Sequence, residues 1–245
     1  MVLRIASLLA LSALLTSAYC IPPDQQCNRR FKGLQQMTVN QLQSRQPTQA
    51  LPANNNATLQ YIGLGVGLQN YSCASTTSTP KSIGAIATLF DVTDYLRDCG
   101  NPKTSKLSRQ YLKAYNREAC QASQDLSDDS CQEAVNFMDF DVLGKHYFGK
   151  PNGAGVPFFD IYDQAFLSAQ KIGDVTAPES AYDGGKNGFG AVDWLFLPED
   201  GSNRSQGLSE VYRIHTAGGA PDPQGCSSGD AVLSYKYAAE YWFYS

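Results

Sequence analysis

Histidine is scarce in this sequence, and the cysteines lack the spacing of a metal site. The chain has 2 histidines, His146 and His215, and 7 cysteines, and these residues form no C-x-x-C or H-x-x-x-H pattern. Zinc sites are typically built from such closely spaced pairs of ligands. The sequence therefore predicts no metal centre, and we expect the cysteines to form disulfides.

An excess of positive charge is also missing. The formal net charge is -4 at pH 7, and the isoelectric point is near 5.2. Proteins that hold nucleic acid through its phosphates need Lys and Arg clustered on one face. The most basic stretch, Lys103–Arg117, is interleaved with polar and apolar residues, which is typical of the solvated face of a helix. We therefore expect no nucleic-acid partner.

Two motifs that would define an enzyme class are absent. No G-x-S-x-G nucleophile elbow occurs. The pattern at Gly63–Gly67 is G-x-G-x-G, so it lacks the final glycine of the dinucleotide loop G-x-G-x-x-G, and Leu68–Tyr71 continues as a strand instead of opening a helix. The sequence therefore predicts no nicotinamide cofactor, and we expect no other cofactor.

The first twenty residues have the pattern of a secretory leader. Arg4 precedes a short apolar run, Ile5–Leu15, and small residues follow around Ser17 and Ala18. The run is too short for a bilayer core of roughly 30 Å, and polar residues follow it at once. The sequence therefore predicts a signal peptide over residues 1–20 and a secreted, extracellular protein with no membrane anchor.

Cysteine usage fits an exported protein. Cleavage after Cys20 would leave an even set of six, namely Cys27, Cys73, Cys99, Cys120, Cys131 and Cys226. Spacing alone does not choose among the pairings of six cysteines. Three of them, Cys99, Cys120 and Cys131, fall in one stretch with helical patterning, so we expect disulfides to staple that stretch.

Three Asn-x-Ser/Thr sequons predict that the exported chain carries glycans. Asn56 and Asn203 lie in polar, turn-like surroundings, which suit a glycan. Asn70 lies inside a strand-like segment and is the weaker candidate.

The chain after the leader has the patterning of a single mainly β domain. Residues 21–57 have little apolar periodicity, and we interpret them as an extended N-terminal arm. Residues 58–245 predict a β-sandwich or barrel-like domain with a disulfide-stapled helical insertion at about 93–138. The predicted strands are short, aromatic or β-branched, and separated by turn residues; they include residues 58–71, 85–92, 142–148, 156–162, 192–197, 208–216 and 235–244.

Aromatic residues along the last strand suggest a binding surface. Successive side chains of a strand point to opposite faces, so Tyr237, Tyr241 and Phe243 share one face and Trp242 and Tyr244 share the other. The second face also carries the charged residues of the strand. We therefore expect Trp242 and Tyr244 to form an exposed aromatic patch that could stack on sugar rings.

Five ordered motifs resemble a family of secreted fungal proteins with bacterial relatives. The motifs are Gly65–Cys73, Gly144–Phe148, Val192–Leu197, Val211–Pro221 with Cys226, and Tyr237–Tyr244. The family's domain has no known function, and its fungal members are often labelled malate dehydrogenase. The resemblance implies a secreted β domain and, because Cys73 and Cys226 lie within the shared motifs, a disulfide between them. The glycine pattern gives no support to malate dehydrogenase activity.

Three functions remain open from the sequence. The first is a non-catalytic binding or surface-interaction domain whose partner is a polysaccharide or a host or cell-wall protein. The second is a secreted hydrolase, for which His146, Asp193 and His215 are the candidate acid and base groups. The third is a structural component of a wall or spore coat. A histidine and a carboxylate meeting in one pocket would favour the hydrolase, and an exposed aromatic strip would favour the binding domain.

Overall fold

The computed structural model describes 51–53, 56–99, 106–117, 120, 126, 129–150, 155–186, 188–227, 229 and 231–245. At residues 98 and 99 only the backbone is described. The predicted signal peptide, most of the predicted N-terminal arm and Cys27 lie outside these residues.

In the described part of the chain, nine antiparallel strands form one curled, half-barrel sheet, which confirms the predicted mainly β fold. Their order across the sheet is β5-β4-β3-β2-β1-β9-β8-β7-β6. The strands are β1 (Leu59–Cys73), β2 (Lys81–Asp91), β3 (Val142–Gly149), β4 (Val156–Ile161), β5 (Ala165–Ser168), β6 (Gly173–Val175), β7 (Trp194–Pro198), β8 (Glu210–Gly218) and β9 (Ala231–Tyr244). Sequence patterning did not identify the two shortest strands, β5 and β6.

The curl of the sheet brings distant strands together on one face. Strand β4 lies four positions from β9, which would place them roughly 19 Å apart in a flat sheet. The ring centroids of Phe159 in β4 and Tyr241 in β9 are only 5.5 Å apart. The face that carries these two rings is therefore the inside of the curl, and we call it the inner face.

The two edges of the sheet also meet. The Gln170 N–H donates to the Pro198 carbonyl, and the Asp200 N–H donates to the Ser168 carbonyl, each at 2.9 Å. These bonds join the end of β5 to the turn between β7 and β8. The inner face thus surrounds a space instead of lying open to solvent along its length.

Three helices are seen among the described residues between β2 and β3, where the sequence predicts a helical insertion. They are α1 (Thr93–Cys99), α2 (Leu107–Tyr115) and α3 (Asp129–Val135). Helix α2 packs on β1, β8 and β9 through Leu107, Tyr111, Leu112 and Tyr115, all of which are buried. We call this helix-covered side of the sheet the outer face.

The helical segment is stapled by the disulfide Cys120–Cys131. The Lys236 ammonium group on β9 adds a second tie, because it donates to the carbonyls of Tyr115 and Cys120 at 2.8 Å each. Part of the predicted arm also joins the outer face, since Leu51 is buried there and the Tyr212 hydroxyl donates to the Pro52 carbonyl at 2.7 Å.

The alternate glycines of β1 make room for aromatic rings on the inner face. A Cβ atom on Gly65 would lie 2.4 Å from Cε2 of Tyr241, a distance that real side chains do not adopt. A Cβ atom on Gly63, two residues earlier, would lie 3.3 Å from the Leu143 and Phe243 side chains, which is tight but less close than the contact at Gly65. Gly63 and Gly65 therefore serve side-chain packing, Gly67 allows the close approach of the β2 backbone, and the pattern opens no helix.

Among the described residues, no helix has both the length and the apolarity needed to cross a membrane.

Candidate functional site

An open cavity of about 690 Å³ lies within the curl of the sheet. Small-molecule sites in proteins typically have volumes of about 300–1,000 Å³. Buried side chains from five strands form what we call the cavity floor: Gln69, His146, Phe159, Arg213 and Tyr241. More exposed residues, including Phe148, Gly155, Gln170 and Lys171, form the cavity mouth.

Arg213 places a buried positive charge in the cavity floor. Strand β8 alternates between the faces, so Val211 and Arg213 point inward while Tyr212 and Ile214 pack on the outer face. The Arg213 residue is only 7% exposed. Among the described residues, no carboxylate oxygen lies within the 4.0 Å that defines an ion pair with it.

Neutral acceptors hold the Arg213 guanidinium in place. Its Nε and Nη2 atoms donate to the Asp193 carbonyl at 3.1 and 2.9 Å, and its Nη1 atom donates to Oε1 of Gln69 at 3.2 Å. A guanidinium has more N–H donors than these three bonds use. A buried charge without a countercharge is unfavourable. The cavity floor is therefore suited to receive an anion.

Gln69 is the positioning partner of Arg213. Its side-chain amide nitrogen donates to the Gly84 carbonyl at 2.6 Å and to the Ser82 hydroxyl at 3.1 Å. Because both amide donors are directed to β2, the amide oxygen faces Arg213. The side chain is 5% exposed, so water does not compete with these bonds.

His146 presents a hydrogen-bond acceptor to the same cavity. Its Nδ1 atom lies 2.9 Å from the Phe158 carbonyl, which can only accept, so Nδ1 carries the proton. Burial lowers the pKa of His146 to about 4, an effect that the Phe158 bond opposes and the charge of Arg213 reinforces. The ring is therefore neutral at pH 7, with Nε2 unprotonated, and it stacks on Phe159 at 4.3 Å between centroids.

Tyrosine hydroxyls complete the polar lining. The hydroxyls of Tyr237 and Tyr241 are hydrogen-bonded at 2.8 Å, and burial raises the pKa of Tyr241 while the nearby Arg213 charge opposes the rise. The Tyr71 hydroxyl donates to the Gly219 carbonyl at 2.9 Å, and burial raises the pKa of Tyr71 to about 12. The hydroxyls of Tyr71 and Tyr241, which line the cavity, are neutral at pH 7 and can share hydrogen bonds with a ligand.

Two of the three candidate catalytic residues line this cavity, and the third does not. His146 and Asp193 are both lining residues. The Asp193 side chain, which is half-buried, makes no ion pair or hydrogen bond within the described part of the chain, although its main-chain carbonyl binds Arg213. His215 lies in a β-bulge with a left-handed φ of 49° and contacts the Trp194 ring instead.

The expected exposure of Trp242 and Tyr244 is wrong. Both residues have 0% exposure, because the outer face of β9 lies beneath helix α2 and neighbouring side chains. Trp242 donates its indole N–H to Glu240 at 3.1 Å, so even its polar atom is used within the core. An aromatic surface patch at these residues is therefore excluded, although the predicted division of β9 into two faces is right.

Sequence reasoning missed Arg213 and Gln69. The available signal was a charged residue inside the apolar run Val211–Ile214, and an amide inside the glycine-rich strand β1. Either residue could have been a solvent-facing side chain of a half-exposed sheet. Only the curl of the sheet, which encloses the inner face, shows that both are buried.

The disulfide Cys73–Cys226 joins the end of β1 to the segment before β9, as the family resemblance implies. The side chain of Cys99 and the whole of Cys27 lie outside the described residues, so their pairing stays a prediction. Among the predicted glycan sites, Asn56 and Asn203 are exposed, and Asn70 is half-buried with its Oδ1 atom accepting from Ser234. Glycosylation itself stays a prediction.

These features define a mainly β, disulfide-containing domain whose curled sheet encloses a cavity with a buried cation at its floor. The chain belongs to the family described as Protein of unknown function (DUF3455), whose model matches residues 52–245. No curated protein and no solved structure matches the chain. Because the family description names no activity, the function has to be argued from the cavity.

Proposed function

We propose that this is an exported binding protein that takes a small organic anion into the cavity inside its sheet. The carrying observation is Arg213, a buried cation that faces a cavity and has no carboxylate partner among the described residues. Proteins rarely bury an unpaired charge, and strongly convergent polar groups in an apolar pocket are the usual mark of a ligand site. A ligand carboxylate would supply the missing countercharge.

Export is supported by two observations. The N-terminal pattern is that of a signal peptide, and the described chain contains the disulfides Cys73–Cys226 and Cys120–Cys131. Disulfides persist mainly in oxidising compartments such as the extracellular space. A cell wall or a host surface is the setting that we propose for the ligand.

A secreted hydrolase is the second candidate, because His146 and Asp193 line the same cavity. A general base works best with a pKa near the operating pH. His146 departs from that condition, since burial lowers its pKa to about 4 and its Nδ1 proton is committed to a main-chain carbonyl. Binding is therefore the better-supported function.

Calorimetric titration of the mature protein with a panel of small carboxylates tests this proposal. We expect saturable binding by the wild type and at least about 30-fold weaker binding by Arg213→Gln, because truncating one partner of a buried charge pair typically costs about 2–5 kcal/mol. Arg117→Gln is the matched control, since Arg117 is an exposed arginine that does not line the cavity.

Equal carboxylate affinities of the wild type and Arg213→Gln would overturn the binding site. Release of product from esters or glycosides by the wild type, lost in His146→Phe, would favour the hydrolase. The melting temperature of each variant shows whether a loss of binding reflects a loss of folding.

A further inference from the structure

The cavity offers more than a cation, and its other groups restrict the ligand. Nε2 of His146 carries no proton, and the Asp193 carboxylate makes no hydrogen bond within the described part of the chain. Both are acceptors. A ligand that carried only a carboxylate and an apolar body would strip water from these acceptors and leave them without donors, which is unfavourable.

A ligand that satisfies the cavity must therefore bring hydrogen-bond donors as well as a negative charge. Hydroxyl groups meet this need, because each can donate to Nε2 of His146, to Asp193 or to the Tyr71 oxygen and can accept from Tyr241. An ammonium group is the poorer choice, since the positive charge of Arg213 lies in the same floor.

The walls of the cavity suit a ring with polar edges and C–H faces. Aromatic residues line it from the floor to the mouth: Tyr71, His146, Phe148, Phe159 and Tyr241. Aromatic faces carry a negative quadrupole, which attracts the weakly positive C–H bonds of a saturated ring. Phe148 is 37% exposed at the mouth, so it is free to contact a ligand as it enters.

We infer that the ligand is an acidic sugar, a uronic acid unit whose carboxylate pairs with Arg213 and whose hydroxyl donates to Nε2 of His146. This inference rests on the proposed function and narrows its ligand class. The same chemistry is found in a free sugar acid and at the end of an acidic polysaccharide. Because the cavity has an open mouth, either form can place one uronic acid unit on the floor.

Four ring compounds of similar size separate the required features. Galacturonate and glucuronate carry the carboxylate and hydroxyls, galactose lacks the carboxylate, and cyclohexanecarboxylate lacks the hydroxyls. We expect calorimetry on the mature protein to show at least one uronate binding about tenfold or more tightly than either comparison compound, as expected for a polar site whose partner is missing.

The outcomes distinguish this inference from the proposed function. Equal affinity for the uronates and cyclohexanecarboxylate would overturn the acidic sugar and leave the anion site intact. Equal affinity for the uronates and galactose would overturn both. Binding of none of the compounds would overturn the acidic sugar, and the carboxylate panel would then decide the anion site. Tighter binding of trigalacturonate than of galacturonate would identify the polysaccharide end as the source, and equal binding would identify the free sugar acid.

His146→Phe tests the hydroxyl contact directly. The phenyl ring can keep the stacking on Phe159 while it removes the acceptor, so we expect the ratio of uronate to cyclohexanecarboxylate affinity to fall roughly tenfold. An unchanged ratio would overturn the assigned contact. His146→Gln, which retains a hydrogen-bond acceptor, is expected to recover part of the ratio. His146→Leu, which also lacks an acceptor, serves in place of His146→Phe if that variant does not fold.

Discussion

Neighbouring residues on β9 lie on opposite faces of the sheet. Side chains pack closely on the outer face, whereas the inner face borders a cavity. Trp242 packs on the outer face beneath the helices and is fully buried. Tyr241 packs on the inner face and is almost as buried, yet it borders the open cavity beside Arg213. Burial alone therefore does not separate a core residue from a site residue, whereas the presence of unfilled space next to it does.

Polar groups on the two faces differ in whether their hydrogen bonds are made within the protein. On the outer face, the indole of Trp242 and the hydroxyl of Tyr212 are bonded within the protein. On the inner face, Arg213 and His146 retain hydrogen-bonding capacity that points to a space large enough for a ligand. Some buried outer-face atoms also lack partners in the described chain, including Nε1 of Trp194 and Nε2 of His215, but neither residue lines the cavity.

The largest expected loss of stability comes from removing a large buried side chain on the outer face. Trp242→Ala should lower the free energy of unfolding by about 3–5 kcal/mol, because it removes a fully buried aromatic side chain and leaves Glu240 without its indole donor. Urea denaturation measures the change. A loss below about 1 kcal/mol would show that the helices do not cover β9 tightly. Phe137→Ala is the control, since Phe137 is an exposed aromatic on the same side.

Acid should weaken the inner face through His146. Its pKa is about 4 in the folded protein against an ordinary value of 6.5, so the unfolded chain takes up the proton first as the pH falls. The contribution of His146 to the free energy of unfolding is complete above pH 6.5 and is lost as the pH falls from 6.5 to below 4. The total loss is about 3 kcal/mol.

We would measure the free energy of unfolding of the wild type and of His146→Phe from pH 7 to pH 4. The carboxylates titrate in both proteins, so the difference between the two curves gives the contribution of His146. We expect the difference between the two proteins to narrow as the pH falls and the wild type to show the steeper loss. Parallel curves would mean that His146 keeps an ordinary pKa and is open to water. The outer face has no buried histidine of this kind to produce a matching slope, since His215 is only half-buried.

The contrast between the faces also shows what could be read from the sequence. Alternation along β9 and the strand character of Gly63–Gly67 were predictable, because the period of a strand is a local property. Which face the helices would cover was not, since that depends on how α2 returns to the sheet. The error at Trp242 and Tyr244 has this origin.

The meeting of site residues is a second feature that local patterning does not encode. His146 and Asp193 come from segments on opposite sides of the sheet order, and only the curl brings them to one cavity. Arg213 and Gln69 were missed for a related reason. A charged or polar residue in a strand is usually a solvent-facing one, and its burial follows from closure of the sheet and not from its neighbours in sequence.

Filling the close contact at Gly65 should disturb the inner face without affecting the outer one. Gly65→Ala places a Cβ atom 2.4 Å from the Tyr241 ring, so the ring or the strand must shift. Overpacking of this kind costs about 1–3 kcal/mol. Gly63→Ala is the matched control, because its new Cβ would meet side chains only at 3.3 Å. Equal stability of the two variants would mean that Tyr241 is not held against β1.

The smallest expected effect is the loss of a single hydroxyl on the inner face. Tyr241→Phe removes the partner of the Tyr237 hydroxyl and a group near Arg213, while the ring keeps its packing against Phe159. The free energy of unfolding should fall by about 1 kcal/mol, the usual net contribution of one hydrogen bond. Tyr237→Phe, which breaks the same bond from the other side and lies outside the cavity lining, is the comparison. We expect both variants to lose similar stability and only Tyr241→Phe to bind the ligand more weakly, because only Tyr241 lines the cavity. Equal losses of binding in the two variants would mean that the two hydroxyls act as one unit.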